Sequence, residues 1–248
     1  MTAHIRKFQR SGLVKMYLNN IFTDPEMQEK YMDILVSSFL PLVKGAFYYT
    51  IPLTLITFGI GLVLAIFTAL MRLSNLKTLQ WIARVYVSII RGTPLLVQLF
   101  IIFFGLPSVG VTINPLYSAI IGFSLNMGAY NSEIIRAAIL SIPKGQWEAS
   151  HSIGMTNLQA LRRVVLPQAT RVSIPPLSNS FIGLIKDTSL ASTITYTEMF
   201  RNAQEIAANN YEFLLVYTEA AAIYWVICIG LSFVQDRVEN RLDQYVAK

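Results

Sequence analysis

Residues 46–70 run for 25 positions without a charged side chain. About 20 consecutive apolar residues already cross the hydrocarbon core of a bilayer as a helix, and a lipid-exposed segment must satisfy every backbone polar group within itself, which leaves the helix as its conformation. Four more segments follow the same pattern. Residues 111–132 carry no charge, residues 213–235 contain only Glu219, and residues 85–106 are apolar apart from Arg91, which lies near one end and can snorkel. Residues 172–193 are apolar until Lys186 and Asp187. Hydrophobic residues make up 54% of the chain and charged ones 14%, against about 25% charged in a soluble domain. The mean hydropathy is +0.49. The expectation is an all-α integral membrane protein with five transmembrane helices, over about 46–70, 85–106, 111–135, 172–193 and 213–235, in one transmembrane domain covering 45–248. Residues 34–43 are apolar but too short to cross. The first 33 residues mix charges and lack a signal-peptide core, so 1–44 is expected to be an extracytoplasmic or interfacial tail.

Lys and Arg near the span ends set the expected orientation. Arg72, Lys77, Lys144, Arg162, Arg163, Arg171, Arg237, Arg241 and Lys248 fall on one side, and Lys30, Lys44 and Arg201 on the other. The richer side is cytoplasmic, which places the N-terminus outside and the C-terminus inside. Arg6, Lys7, Arg10 and Lys15 run against this, far from the first span. The net charge of +6 resides in these flanks and points to anionic lipid; no aromatic-basic platform for nucleic acid is present.

Several chemistries are excluded. No G-x-x-x-x-G-K-[ST] phosphate loop and no G-x-S-x-G nucleophile elbow occurs. His4, His151 and Cys228 are too scattered for a metal site, and one cysteine cannot form an internal disulfide. The chain is expected to be a non-enzyme that binds no cofactor.

The charged loop 141–171 has a distinctive grammar. Residues 146–153 can make two helical turns, Gly154 can supply a positive-φ corner, and residues 157–166 can form a second helix that Pro167 stops. Glu148 can point outward beside a face of Trp147, Ala149 and Ile153. By shape alone this is equally an ordinary helical hairpin on the membrane surface. The spacing is Glu148-Ala149-Ser150, three residues, Gly154, nine residues, Val164, one residue, then Leu166-Pro167. It resembles the EAA loop of ABC-importer permeases, with Ser150 for the last Ala and Val164 for Ile.

The likeness extends along the chain. Arg91-Gly92-Thr93-Pro94-Leu95-Leu96-Val97-Gln98 resembles the R-G-T-P-L-x-x-Q segment of polar amino acid permeases. Gly145-Gln146-Trp147-Glu148-Ala149 resembles their G-Q-x-E-A, and Asn179-Ser180-Phe181 with Lys186-Asp187-Thr188-Ser189-Leu190 their N-x-F and K-D-T-S-L. The chain from about residue 45 to its end is identified on these segments with the histidine/glutamine/arginine/cystine class, the cystine type resembling it most. The resemblance implies a subunit of the bacterial plasma (inner) membrane that couples through Glu148, Ala149, Gly154, Leu166 and Pro167 to a separate cytoplasmic ABC ATPase. That ATPase would use the ATP and Mg. It further implies a second permease subunit, an extracytoplasmic substrate-binding protein and alternating access to a path for an amino acid.

Other residues keep two readings. Gly92, Thr93 and Pro94 can kink a span as architecture or touch substrate. Lys186 and Asp187 either mark an unwound stretch in which Thr188 and Ser189 line a substrate path or gate, or sit where the span simply ends. Glu219, about 9 Å into its helix, needs an interior partner such as Lys186, Arg201 or a substrate ammonium. Glu133 and Arg136 can pair at i, i+3. Glu198, Glu205 and Glu212 form a solvated loop or greet a binding protein. The competing class is a secondary transporter or channel subunit working without ATP, which would be expected to show inverted repeats.

Overall fold

The computed structural model describes residues 24–243, and its regular structure is helical throughout. Asp24 caps helix α1 (Pro25–Gly45), its carboxylate accepting the Glu26 N–H at 3.1 Å. A π-helical turn, Ala46–Thr50, carries α1 unbroken into α2 (Ile51–Leu73), so Pro25–Leu73 is one 49-residue helix. Helix α3 (Lys77–Gly92) is separated by Thr93-Pro94 from α4 (Leu95–Phe100), which tightens through a π turn (Ile101–Gly105) and a 3₁₀ turn (Leu106–Val109). The axis turns by 102° at that break. Helix α5 (Pro115–Leu140) is followed by two short helices, α6 (Lys144–Ser152) and α7 (Asn157–Ala160). A π turn (Leu161–Val165) then leads into α8 (Leu166–Asp187). After a 3₁₀ turn (Thr188–Ile194) come α9 (Met199–Asn210) and α10 (Phe213–Asp243).

The π turns share a cause. Each ends two residues before a proline: Thr50 before Pro52, Gly105 before Pro107, Val165 before Pro167. A helical proline has no N–H, and its ring collides with the carbonyl four residues earlier. Widening the preceding turn to i→i+5 bonding relieves that collision without ending the helix.

Helix α5 is the hub, lying along α2 and also meeting α3, α4 and α8. Its contact with α2 is built from small residues. Thr54, Thr57, Gly61, Ala65 and Thr68 recur every three or four positions and are buried. A Cβ on Gly61 would stand 2.6 Å from the Met127 Cβ, and one on Gly128 would stand 2.9 Å from the Leu64 Cβ and 2.7 Å from the Tyr86 hydroxyl. Close backbone approach of this kind packs helices where the surrounding medium is itself apolar. Gly128→Leu should therefore force α2 and α5 apart at a cost of about 1–3 kcal/mol, read as a lower unfolding midpoint in detergent. An unshifted midpoint would show that the contact can open freely. A second cluster joins Ile34 and Leu42 of α1, Ala203 and Ala207 of α9, and Val216 and Ala220 of α10.

The expectation of five transmembrane helices is corrected. Among the described residues two helices are long and apolar enough to cross, Pro25–Leu73 and Phe213–Arg241, or three if the bent pair Lys77–Gly92 and Leu95–Val109 counts as one. Freedom from charge is not the same as apolarity. Over 111–135 the helix carries Ser118, Ser124, Asn126, Asn131 and Ser132, all buried against protein. Over 172–193 it carries Pro175, Pro176, Lys186 and Asp187. The segment 85–106 is split by the break at Thr93-Pro94. Of the N-terminal cations, Arg6, Lys7, Arg10 and Lys15 lie outside the described residues, as do His4 and Lys248.

Candidate functional site

The segment 141–171 folds as a closed elbow. Helix α6 ends at Gly154, whose φ is +81°. The Gly154 N–H donates to His151 O at 2.9 Å and the Met155 N–H to Ser150 O at 3.1 Å, the pair of bonds of a Schellman cap. His151 Nδ1 also lies 3.0 Å from Met155 O. Thr156 and Gln159 then bond reciprocally as a capping box that starts α7. The turn is thus held from both sides.

Ser150 is buried, and its hydroxyl donates back to Gln146 O at 2.7 Å. A serine at an otherwise apolar position is accommodated because its polar atom is satisfied within the same helix. Glu148 and Ala149 are exposed. Ile153 and Leu158 are each 73% exposed at the tip, beside a groove of about 580 Å³ lined by Leu70, Leu73, Ile139, Trp147 and Leu161. An exposed carboxylate flanked by uncovered apolar side chains on a rigid turn is a surface suited to a protein cleft. Pro167 does not stop the helix as the sequence implied: the π turn Leu161–Val165 absorbs it, and the chain continues into α8 for 22 residues. The elbow is consequently one rod with a long helix of the bundle.

At the break, Gln98 does what the sequence left unassigned. Its amide donates to Ile90 O at 2.7 Å, Thr93 O at 3.1 Å and Thr93 Oγ1 at 2.9 Å, while Thr93 Oγ1 donates to Ile89 O at 2.9 Å. Carbonyls freed by the missing Pro94 N–H are recovered by one buried side chain. Its own oxygen accepts from Asn126 Nδ2 at 3.4 Å. Among the described residues no heavy atom lies in reach of a Cβ added at Gly92, so no described helix approaches closely there.

Glu133 is shared. Arg136 bonds its Oε2 through Nε at 3.2 Å and Nη2 at 3.0 Å, Arg91 lies 3.7 Å from Oε1, and Arg72 is paired with Oε1. The Arg91 guanidinium also stands 5.3 Å from the Tyr130 ring centre.

Lys186 and Asp187 are exposed at the end of α8, which passes directly into the 3₁₀ turn instead of unwinding. The Thr188 and Ser189 hydroxyls donate back to Ile185 O and Lys186 O, at 2.6 and 2.7 Å. Lys186 and Ser189 line a cavity of about 480 Å³ with Phe200, Tyr217, Tyr224 and Trp225. Glu219 is not in it; Ser38 of α1 donates to its carboxylate. The acidic trio separates as well. Glu212 pairs with Lys30 at 2.7 Å and Glu205 with Arg201 at 2.8 Å. Glu198 is fully buried and caps α9, accepting from the Phe200 and Arg201 N–H groups at 2.9 and 2.7 Å, Tyr224 Oη at 3.1 Å and Thr50 Oγ1 at 3.4 Å. Among the described residues no cluster of His, Cys, Asp and Glu could hold a metal.

Residues 61–244 match the family described as binding-protein-dependent transport system inner membrane component. The chain belongs to that family. It is a permease subunit of an ABC-type importer, forming the translocation pathway, and it is not an enzyme. The L-cystine transport system permease protein TcyB of Bacillus subtilis (strain 168) is 59% identical over 234 residues, 94% of this chain and 100% of that one. The glutamine transport system permease protein GlnP of Escherichia coli (strain K12) is 37% identical over 203 residues, 81% and 92% of the two chains. A crystal structure of an amino acid ABC transporter with histidines superposes with a TM-score of 0.77 at 35% identity, covering 88% of this chain and 99% of that one. The inward-facing MetNI methionine ABC transporter, at 20% identity with a TM-score of 0.66 over 84% and 97% of the chains, shares the fold. A multi-pass inner membrane component is thus the setting for the elbow and the helix break.

Proposed function

We propose that this permease imports a polar amino acid, cystine above the others, and that the elbow 141–171 is where a cytoplasmic ATPase using ATP and Mg drives it. The observation that carries the substrate is the end-to-end 59% identity with a cystine permease. For the drive it is the Gly154 elbow, rigidly capped and continuous with α8, with Glu148, Ala149, Ile153 and Leu158 uncovered. ATPase closure would pull the elbow, and α8 would carry the movement into the bundle. Leu166 and Pro167 form the joint between lever and helix, and Gly92, Thr93 and Pro94 with Gln98 set the fixed bend on the neighbouring path.

In this reading the C-terminus is cytoplasmic and the N-terminus extracytoplasmic, a binding protein delivers the substrate, and a second permease subunit completes the path. Residues 45–248 are proposed as the permease domain, and of the segment 1–44 expected to be an interfacial tail, residues 25–44 instead continue into it as α1 and pack on α9 and α10. The substrate path is proposed past Lys186, Asp187, Thr188 and Ser189, of which Lys186 and Ser189 line a cavity rich in aromatic side chains. Glu219 fastens α10 to α1 beside it. The test is uptake by the subunit reconstituted with its ATPase and binding protein. Labelled cystine should accumulate only with ATP, and excess unlabelled cystine should compete better than glutamine, arginine or histidine. Uptake that proceeds without ATP would transfer the chain to the secondary transporters, and an inert competitor series would remove the amino acid assignment.

A further inference from the structure

Helix α3 has three faces, and the function described so far uses one. Ala83 and Val87 are buried against the bundle, and Tyr86 Oη donates to Leu125 O at 2.6 Å. A second face leaves Trp81, Ile82 and Ile89 46–63% exposed. On the third, Lys77, Arg84 and Arg91 recur every seven residues, two helical turns or about 10.5 Å apart, so they stand in one stripe. Arg72 at the end of α2 is near enough to Arg84, Arg91 and Arg136 to feel all three charges. Among the described residues the carboxylate paired with this group is Glu133 alone, and Lys77 and Arg84 have no acidic partner. The stripe therefore keeps a net positive charge after its ion pairs are counted.

The bend sets α3 relative to the segment that follows it. A turn of 102° between Lys77–Gly92 and Leu95–Val109 means that when the second segment runs along the bilayer normal, α3 lies close to the bilayer plane. An in-plane helix with an apolar face, a cationic face and a tryptophan between them has the form that embeds in the headgroup boundary. We propose that α3 is an interfacial helix whose Lys77, Arg84 and Arg91 stripe, with Arg72, binds the phosphate of an anionic phospholipid while Trp81, Ile82 and Ile89 meet its acyl chains. Anionic lipid is the occupant favoured by charge, because a cationic stripe bordered by uncovered apolar side chains matches a molecule that is negative at one end and apolar at the other. The orientation proposed above enters only in naming the cytoplasmic leaflet as the source. Bound lipid would hold α3 in the plane and brace the Gln98 break from the membrane side.

The test uses the full-length chain, purified by itself in neutral detergent. Trp147→Phe and Trp225→Phe leave Trp81 as the reporter, titrated with short-chain brominated phosphatidylglycerol. Saturable quenching is expected, with brominated phosphatidylcholine quenching weakly at the same level. Lys77 and Arg84 take part in no ion pair among the described residues, so Lys77→Gln with Arg84→Gln removes charge without disturbing Glu133. At about 1 kcal/mol per cation near an anionic surface, half-saturation should rise roughly 30-fold, with the phosphatidylcholine response unchanged as evidence of folding. Equal half-saturation for the two lipids, or no shift in the double variant, overturns the proposal. Inorganic phosphate that abolishes the quenching would assign the stripe to a free anion. Cross-linking of two copies through Ile89→Cys in native membranes would assign the apolar face to protein. Either result also overturns it.

Discussion

Gly154→Val is expected to abolish uptake while leaving the permease inserted and assembled. A valine at φ +81° is a genuine steric outlier, and the left-handed conformation costs an ordinary L residue about 1–2 kcal/mol before branching is added. That is enough to shift the population of the closed elbow by roughly 5- to 30-fold, because the Gly154 and Met155 N–H bonds to His151 and Ser150 exist only with that φ. Nothing lies within 4 Å of an added Cβ, so the effect is one of backbone angle and not of space. Asparagine tolerates the left-handed region, and Gly154→Asn should retain most of the uptake. The pair is measured as ATP-dependent uptake alongside ATPase turnover and the amount of assembled complex. Turnover that persists without uptake in the valine variant is the signature of a broken lever, and Glu148→Gln should move in the same direction if its carboxylate is gripped. Full uptake in Gly154→Val would remove the elbow from the mechanism.

How much of this could be read from the chain depended on how local each cause is. The elbow was legible because two short helices and the positive-φ corner at Gly154 between them are set within about ten residues, whereas the Ser150 back-bond and the Thr156–Gln159 box that hold it were not read. The break at Thr93-Pro94 was legible as a kink for the same reason, although Gln98 as its fastener was not, since an amide gives no sign of which carbonyls it will reach. The count of spans failed for a physical reason. A window free of charge looks like a lipid-facing helix, whereas α5 buries a polar side with Ser124, Asn126, Asn131 and Ser132 against protein and leaves Tyr117, Ile121, Tyr130 and Leu140 exposed. The Glu133 cluster was half legible: Arg136 lies three residues away, but Arg72 and Arg91 arrive from other helices. Glu198 gave almost no signal. Glutamate is not among the favoured N-cap residues, and its partner Thr50 is 148 positions distant in sequence.

That distance is why Glu198→Ala should be the most damaging single change to stability in this region. The carboxylate ties the first turn of α9 to Thr50 at the head of α2 and to Tyr224 of α10, and the Thr50 hydroxyl in turn accepts the Met199 N–H at 3.3 Å. Deleting it strands four donors, and an unsatisfied buried donor costs about 1–3 kcal/mol, so a loss on the order of 3 kcal/mol or more is expected as a lowered unfolding midpoint. The pH profile separates charge from geometry. Burial pushes the Glu198 carboxyl above its ordinary value, opposed in part by the bonds from Phe200, Arg201, Tyr224 and Thr50. Between the unfolded value, about 4.3, and the raised folded one, the native state binds more protons than the unfolded state, so stability falls with rising pH across that interval and levels off above it. The stabilisation is complete below the unfolded value and lost as pH passes through the folded one. Glu198→Gln cannot titrate and should flatten this part of the profile, while still losing stability because its NH₂ faces donors instead of accepting from them. A Gln variant whose midpoint keeps the parent's slope over the same interval would show that the pH dependence arises from another group.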